Sequence, residues 1–202
     1  MKPVIYTVGH SVHTADYFLE LLRSAGVNSL IDVRSVAASR FNPQFIKSGL
    51  SAFLEMNGIR YFHLHKEFGA RQKKIELLDE TGQLDFEKVR LAKSFQSGVQ
   101  FLKEEVNRGS IPALMCAEAD PLDCHRFSMV SVALKNDFRV RHILKDKSIL
   151  ENEELEKLML KKFRRKLPSP GLFVNDEEKT LEIAYRLMND KIGYRIGLKS
   201  DK

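Results

Sequence analysis

Between Leu114 and Phe127 the chain reads Leu-Met-Cys-Ala-Glu-Ala-Asp-Pro-Leu-Asp-Cys-His-Arg-Phe. Both of its cysteines, a carboxylate, an imidazole and a guanidinium therefore fall in one short stretch. An apolar run from Ala113 to Cys116 breaks at a polar turn, and apolar residues then resume at helical spacing. This pattern predicts strand, loop, helix, with Cys116 and Glu118 at the strand's end and Cys124, His125 and Arg126 in the first helical turn. There, amide dipoles and the Arg126 charge favour a Cys124 thiolate, the form that acts as a nucleophile. A competing expectation carries equal weight: Cys124 lies three positions before Phe127 on the stripe that should face the sheet, where free cysteines are commonly buried and inert. Cys116, on the strand itself, leans towards burial. Glu118 suits a base or the orienter of a histidine or arginine, with a loop carboxylate facing water as the alternative. A thiolate-centred phosphate cradle is not expected, because Arg126 follows Cys124 by only two positions and leaves no room for the intervening amides.

Other segments bring compatible groups. Gly9-His10-Ser11 follows the run Val4 to Val8. His10, whose ring titrates near neutrality, suits general acid/base work, and Ser11 beside a helix start suits an anion. Asp32 and Arg34 end a second apolar run with Ser39 and Arg40 just behind, and His63 and His65 end a third. Arg34, Arg40 and Arg126 offer planar forks for a phosphate or carboxylate, or else pair with Asp32, Glu118 or Asp123. A carboxylate on an apolar strand is costly without a partner, so Asp32 is expected to have one. His10, His63, Cys116, Cys124 and His125 would permit zinc, yet no Cys-x-x-Cys or His-x-x-x-His spacing occurs. Adjacent Cys124 and His125 are also expected to point to different sides of a helix, so no metal ligands are assigned and the cofactor is left open.

The elements that must position these groups alternate over residues 1–150. Strands are predicted at Val4 to Val8, Ser29 to Val33, Arg60 to Leu64, Ile111 to Cys116 and Val140 to Leu144. Helices fall between them. The first is capped by Thr14 and ended by Gly26, the second carries Phe45, Ile46, Phe53 and Leu54 inward and ends at Gly58, and a longer one spans Asp85 to Asn107 with Gly98 as its weak point. Lys66 to Gln83 reads as a long, charged connection of the kind that is often functional. Strand–helix alternation predicts an α/β domain: a mainly parallel five-stranded sheet with helices on both faces, reached by right-handed crossovers. In such sheets ligands gather at the carboxyl ends of the strands, where all of the groups above fall.

After residue 150 the alternation gives way to a helical extension over residues 151–202. Helices are predicted at about 152–166 and 176–190, broken at Leu167-Pro-Ser-Pro-Gly171. Leu181, Ala184, Tyr185 and Met188 keep an apolar stripe that should dock on the domain or on a second subunit. The 202 residues are 43% apolar, enough for a real core. No apolar run approaches membrane-spanning length and the first residues lack the pattern of an export signal, so a cytoplasmic protein with no membrane contact is expected. Two cysteines there should be reduced thiols most of the time. The net charge of +6 is spread rather than concentrated, and the one basic cluster, Lys161 to Lys166, follows glutamates on the same helix as the helix dipole favours.

Thr7-Val-Gly-His-Ser11, Asp32-Val-Arg34, Ser39-Arg40, Met115-Cys-Ala-Glu118 with Pro121, and Cys124-His-Arg126 together resemble the family catalogued as domain of unknown function 488, over about Ile5 to Leu144. Two positions depart from the pattern: Val36-Ala-Ala38 stands where the family tends to have a proline, and Gly69-Ala70 where a Gly-Gly is usual. The resemblance implies little chemistry, since that family's activity is unassigned.

Taken together, the residues predict a hydrolase or group transferase for an anionic, phosphate-bearing small molecule. Cys124, His10 and Glu118 are expected to be catalytic, and Ser11, Asp32, Arg34, Ser39, Arg40, Cys116, His125 and Arg126 to bind substrate. The alternative is a nucleic-acid-binding module without catalysis, in which the same arginines, Lys73, Lys74 and the C-terminal basic cluster meet backbone phosphates.

Overall fold

The structure is a computed structural model that describes residues 2–168 and 177–196. Five parallel strands, β1 (Val4–Gly9), β2 (Ser29–Asp32), β3 (Arg60–His63), β4 (Pro112–Cys116) and β5 (Arg139–Ile143), occupy the five predicted segments. A sixth, β6 (Ile149–Glu151), returns antiparallel beside β5 and was not expected. Three residues are too few to show an alternation, and the reversal depends on Lys147, which adopts a positive φ of 69°. The order across the sheet is β3-β2-β4-β1-β5-β6.

α1 (Ala15–Ser24) opens at Thr14, whose side chain accepts from the Tyr17 amide, and Gly26 at φ 68° turns the chain out of it. α2 (Lys47–Met56) leads into β3. Phe45 lies in the short turn before α2, and Ile46 is exposed rather than inward. α1 and α2 pack Phe18, Leu22, Leu50 and Leu54 on one face of the sheet against Tyr6, Val8, Leu30 and Met115. The long connection contains α3 (His65–Phe68), and beyond it the predicted Asp85 to Asn107 helix is two helices, α4 (Phe86–Leu91) and α5 (Lys93–Asn107). The break falls at Ala92, which is extended, and not at Gly98. At Gly98 a Cβ would meet the Phe68 ring at 2.8 Å, so the glycine serves close packing of α3 on α5. α5 and α4 cover the other face, where Phe95, Val99 and Leu102 meet Ile5, Ile31 and Leu114.

Following β4, a π-helical turn, Arg126–Ser131, runs on into α6 (Val132–Leu134), also on the α5 face. The Ser131 hydroxyl donates to the Arg126 carbonyl at 2.7 Å inside that widened turn. The chains leaving β1 and β2 thus pass to one face of the sheet, whereas the chain leaving β4, which lies between them, passes to the other. Such a reversal opens a crevice beyond the strand ends. It lies where Gly9-His10-Ser11, Asp32–Arg34 and Cys116–Glu118 emerge.

The C-terminal part docks on the domain. α7 (Asn152–Phe163) begins with a reciprocal cap between Glu151 and Glu154, and α8 (Glu177–Ile192) buries Ala184, Tyr185 and Met188 against α7 and Phe127. The apolar stripe that could have served a second subunit is therefore covered within the chain. Glu156 ties the pair together, with Oε1 accepting from Lys135 Nζ, Tyr185 Oη and Asn152 Nδ2 at 2.8, 2.8 and 3.0 Å. Residues 169–171 of the predicted break lie outside the described residues. Among the described residues no helix is long and apolar enough to cross a membrane.

Candidate functional site

Period-two geometry decides which side chains of β4 meet. Met115 faces α1 and α2, so Cys116 faces the α5 side and the chain that follows it. Asp120 accepts from the Leu122 amide and starts a single 3₁₀ turn, Pro121–Asp123. Cys124 then lies in extended conformation, φ −134° and ψ 139°, immediately before the helix and not in its first turn as expected. The Asp-Pro pair spends its capping on the 3₁₀ turn, and Cys124 caps the next helix: its sulfur accepts the Arg126 amide at 3.4 Å.

This placement brings Cys124 and His125 to one side. The extended residue turns its sulfur back towards β4, while His125 enters the helix with its ring on the same centre. The donor atoms of Cys116, Glu118, Cys124 and His125 all lie within 4.8 Å of one another. Cys116 Sγ is 2.9 Å and Cys124 Sγ 3.0 Å from Glu118 Oε2, and the two sulfurs are 3.6 and 3.9 Å from His125 Nδ1. Adjacency in a helix predicts that Cys124 and His125 diverge, whereas the extended backbone at Cys124 makes them converge.

The two thiols are inequivalent. Burial pushes Cys116 well above its ordinary pKa, and the neighbouring Cys124 and Glu118 add to the shift. Burial also opposes ionisation of Cys124, but the Cys116 thiol, the Arg126 charge and the His125 ring outweigh it and hold Cys124 well below the ordinary value. Glu118 is raised by burial of its carboxyl and by the Cys124 charge. Cys124 is 1% exposed, so its sulfur lies behind Cys116, Glu118 and His125, which themselves line the cleft.

The cleft has a volume of about 820 Å³ and is lined from beyond the ends of β1, β2 and β4, by His10 and Ser11, by Arg34 to Val36 and Ala38 to Asn42, and by Cys116 to Ala119. Several predicted residues turn out to hold its walls. Asp32, fully buried, accepts from the Arg34 backbone amide, Nε and Nη2 at 3.0, 2.9 and 2.6 Å and from the Tyr61 hydroxyl at 2.6 Å. Burial works against the Arg34 charge, but the Asp32 carboxylate outweighs it and raises the guanidinium's pKa. Arg34 Nη1 lies 3.1 Å from His10 Nε2, and His10 Nδ1 lies 2.9 Å from the Ser11 carbonyl. The network places the proton on Nδ1, with Nε2 accepting from Arg34. Burial, above all, pushes the His10 pKa down to about 4. With both ring nitrogens engaged, His10 has the geometry of a wall post rather than of a free acid or base.

Arg126 is 1% exposed and donates to the Glu118 and Ala119 carbonyls at 2.6 and 3.0 Å, so it clamps the β4 turn rather than reaching substrate. Ser39 accepts the Phe41 and Asn42 amides and shapes its loop. His63 binds the Arg34 carbonyl and stacks on His65, away from the cleft lining. Arg40 does line the cleft and is exposed. Gly9 is required by close approach, since a Cβ there would stand 2.0 Å from the Glu118 carbonyl oxygen.

Other lining residues were not anticipated. Arg71 and Ser35 enter because the Ser35 hydroxyl accepts the Arg71 amide at 2.8 Å, and Ile192 and Tyr194 reach the rim from the C-terminal extension. The long connection was the one available signal for Arg71, and nothing local marks Tyr194. Pairing between distant segments brings it in: the Leu84 amide donates to the Tyr194 carbonyl.

The fold is thus an α/β sheet with a polar cleft at its topological switch. The family described as Domain of unknown function DUF488 matches residues 14–133, and the chain belongs to that family. No curated protein and no solved structure matches the chain.

Proposed function

We propose that this protein is an enzyme that takes a small anionic, phosphate-bearing substrate into the cleft above β4 and carries out hydrolysis or group transfer at the group formed by Cys116, Glu118, Cys124 and His125. One observation carries the reading: four groups able to ligate, donate or accept protons have their reactive atoms within 4.8 Å of one another at the base of a cleft with guanidinium groups on its rim. Among the described residues, Arg40 and Arg71 have no carboxylate partner, which leaves both forks for an anion. Arg34 and His10 support this surface from below.

In this reading, residues of one type do different work. Arg40 and Arg71 attract and orient the anion, while Arg34 and Arg126 fix the walls. Cys124 sits too deep to attack a bound molecule directly, so the exposed Glu118 and the cleft-lining Cys116 and His125 meet the substrate. The nucleic-acid reading is less well supported, because Arg34 is committed to Asp32 and Arg126 to the Glu118 and Ala119 carbonyls, which leaves neither fork for a phosphate backbone.

The test is turnover against a panel of phosphomonoesters, phosphodiesters and acyl phosphates. Glu118→Gln should reduce kcat by about 10²-fold or more, as expected for loss of a proton-transferring group, with an unchanged far-UV spectrum. Arg40→Ala and Arg71→Ala should raise KM. No turnover on any member, together with tight binding of nucleic acid that weakens steeply with salt, would replace this reading by the alternative.

A further inference from the structure

We propose that Cys116, Glu118, Cys124 and His125 form a binding site for one divalent metal ion of the zinc class, placed at the floor of the cleft. This deepens the enzymatic reading above and rests on it for its role, though not for its existence. The donor set is two thiols, an imidazole and a carboxylate, each a ligand type that zinc accepts, and four is the number a tetrahedral site needs. With metal–sulfur bonds near 2.3 Å and metal–nitrogen or metal–oxygen bonds near 2.1 Å, tetrahedral angles put sulfur about 3.6 Å from nitrogen or oxygen. The two sulfurs stand 3.6 and 3.9 Å from His125 Nδ1. The Glu118 oxygen, at 2.9 and 3.0 Å from them, is the one donor that must move outward, and it belongs to an exposed side chain.

The surroundings favour ligation over a free dithiol. His125 Nε2 lies 3.3 Å from the Val33 carbonyl oxygen, which accepts its proton, while Nδ1 faces the sulfurs, where a metal would take the place of a proton. A metal-binding histidine is held in this way, its second nitrogen donating to a backbone carbonyl. The Arg126 amide donates to Cys124 Sγ at 3.4 Å, as suits a ligating thiolate. The charges also balance. On binding, the protons held among the two cysteines and His125 pass to solvent, and two thiolates with the Glu118 carboxylate around a dication leave one net negative charge beside the buried Arg126 guanidinium. Among the described residues no Lys or Arg side chain pairs with the Glu118 carboxylate, so a cation at the centre supplies the counter-charge.

With Glu118 as fourth ligand the site is closed, and the ion would polarise a phosphoryl oxygen or lower the pKa of a water only once that carboxylate swings out into the cleft, a movement that also frees it for proton transfer. The wall groups built from Asp32, Arg34 and His10 then serve to hold the β4 turn and the Val33 carbonyl in register around it.

The experiment uses the full chain without a polyhistidine tag. It combines native mass spectrometry during Zn²⁺ titration, elemental analysis of the protein as purified, and the absorption spectrum with Co²⁺ in place of Zn²⁺. Expected are one metal per chain, displacement of two protons, and a cobalt spectrum with tetrahedral d–d bands and thiolate-to-cobalt charge transfer. Glu118→Gln should weaken Zn²⁺ binding by about 10-fold or more, and His125→Gln and Cys124→Ser by more than that. Should the cysteine variant fail to fold, the exposed Glu118 variant and the cobalt spectrum of the unaltered chain still decide. The site is refuted by Zn²⁺ affinity that is unchanged in Glu118→Gln and His125→Gln, or by a cobalt spectrum lacking thiolate charge transfer. A chain that is purified and re-forms as a Cys116–Cys124 disulfide, lighter by two hydrogens and indifferent to Zn²⁺, refutes it equally. Metal binding without turnover removes the enzymatic reading and keeps the site. Turnover by metal-free protein, unaltered by Zn²⁺, does the reverse.

Discussion

Replacing Asp32 by Ala should be among the most damaging single changes that leave the cleft floor chemically intact. The carboxylate is fully buried and receives four hydrogen bonds, three from Arg34 and one from Tyr61. Arg34 is 6% exposed, so deleting its partner strands a guanidinium where water cannot replace the lost contact. Removal of one member of a buried ion pair costs about 3–5 kcal/mol, against about 0–1 kcal/mol for an exposed pair. A single domain has a total stability of roughly 5–15 kcal/mol, so much of it would disappear. Asp32→Ala with Arg34→Ala should cost less than Asp32→Ala alone, because the stranded charge is gone. Tyr61→Phe, losing one bond to a charged acceptor, should cost about 1.5–3 kcal/mol. Urea denaturation followed by circular dichroism, with slopes compared across variants, measures all three. An Asp32→Ala loss below about 1 kcal/mol, or a double variant weaker than both singles, would refute the claim that this pair is the buried post of the cleft.

Further outcomes follow from the same contacts. His142 is buried between Thr7 Oγ1 and Asn152 Oδ1, and burial, then the Arg126 charge, pushes its pKa down to about 3, below the roughly 6.5 of an unfolded chain. The unfolded state therefore binds the extra proton, and stability should fall by about 1.4 kcal/mol per unit as pH drops below about 6.5, a slope that His142→Gln should flatten in urea titrations. Gly9→Ala, whose Cβ would collide with the Glu118 carbonyl, should destabilise the domain by about 1–3 kcal/mol and weaken Zn²⁺ binding; a fully stable variant with unaltered binding would contradict the packing. Tyr185→Phe, which removes a hydrogen bond to Glu156, should increase amide exchange in Glu177–Ile192 while β1 and β4 stay protected, whereas uniform loosening would mean that the extension is not a separable layer.

Much of the architecture was legible because its cause is local. Val4 to Val8 and Ala113 to Cys116 are apolar runs too short for helices and bounded by polar loops, and Thr14 and Gly26 punctuate α1 through their own side-chain chemistry. The convergence of His10, Arg34 and Glu118 was legible too, since parallel strands deliver their carboxyl ends to one edge. What could not be read depends on neighbours distant in sequence. Gly98 looked like a break and is a contact for Phe68, and β6 exists because β5 offers it an edge. Arg126 carried the charge expected of an anion binder, yet two carbonyls of the β4 turn consume it. The side to which Cys124 points turned on one residue of helix boundary, the scale at which propensity is least informative.

The measurement that bears most directly on the whole account is titration of inorganic phosphate into isotopically labelled, metal-loaded protein, with the amide shifts followed by residue. Changes confined to Arg34 to Asn42, Ala70, Arg71 and Cys116 to Ala119, lost in Arg40→Ala with Arg71→Ala, are the predicted result. Changes centred on Lys73, Lys74 or the Lys161 to Lys166 cluster, with the cleft amides unmoved, would contradict it.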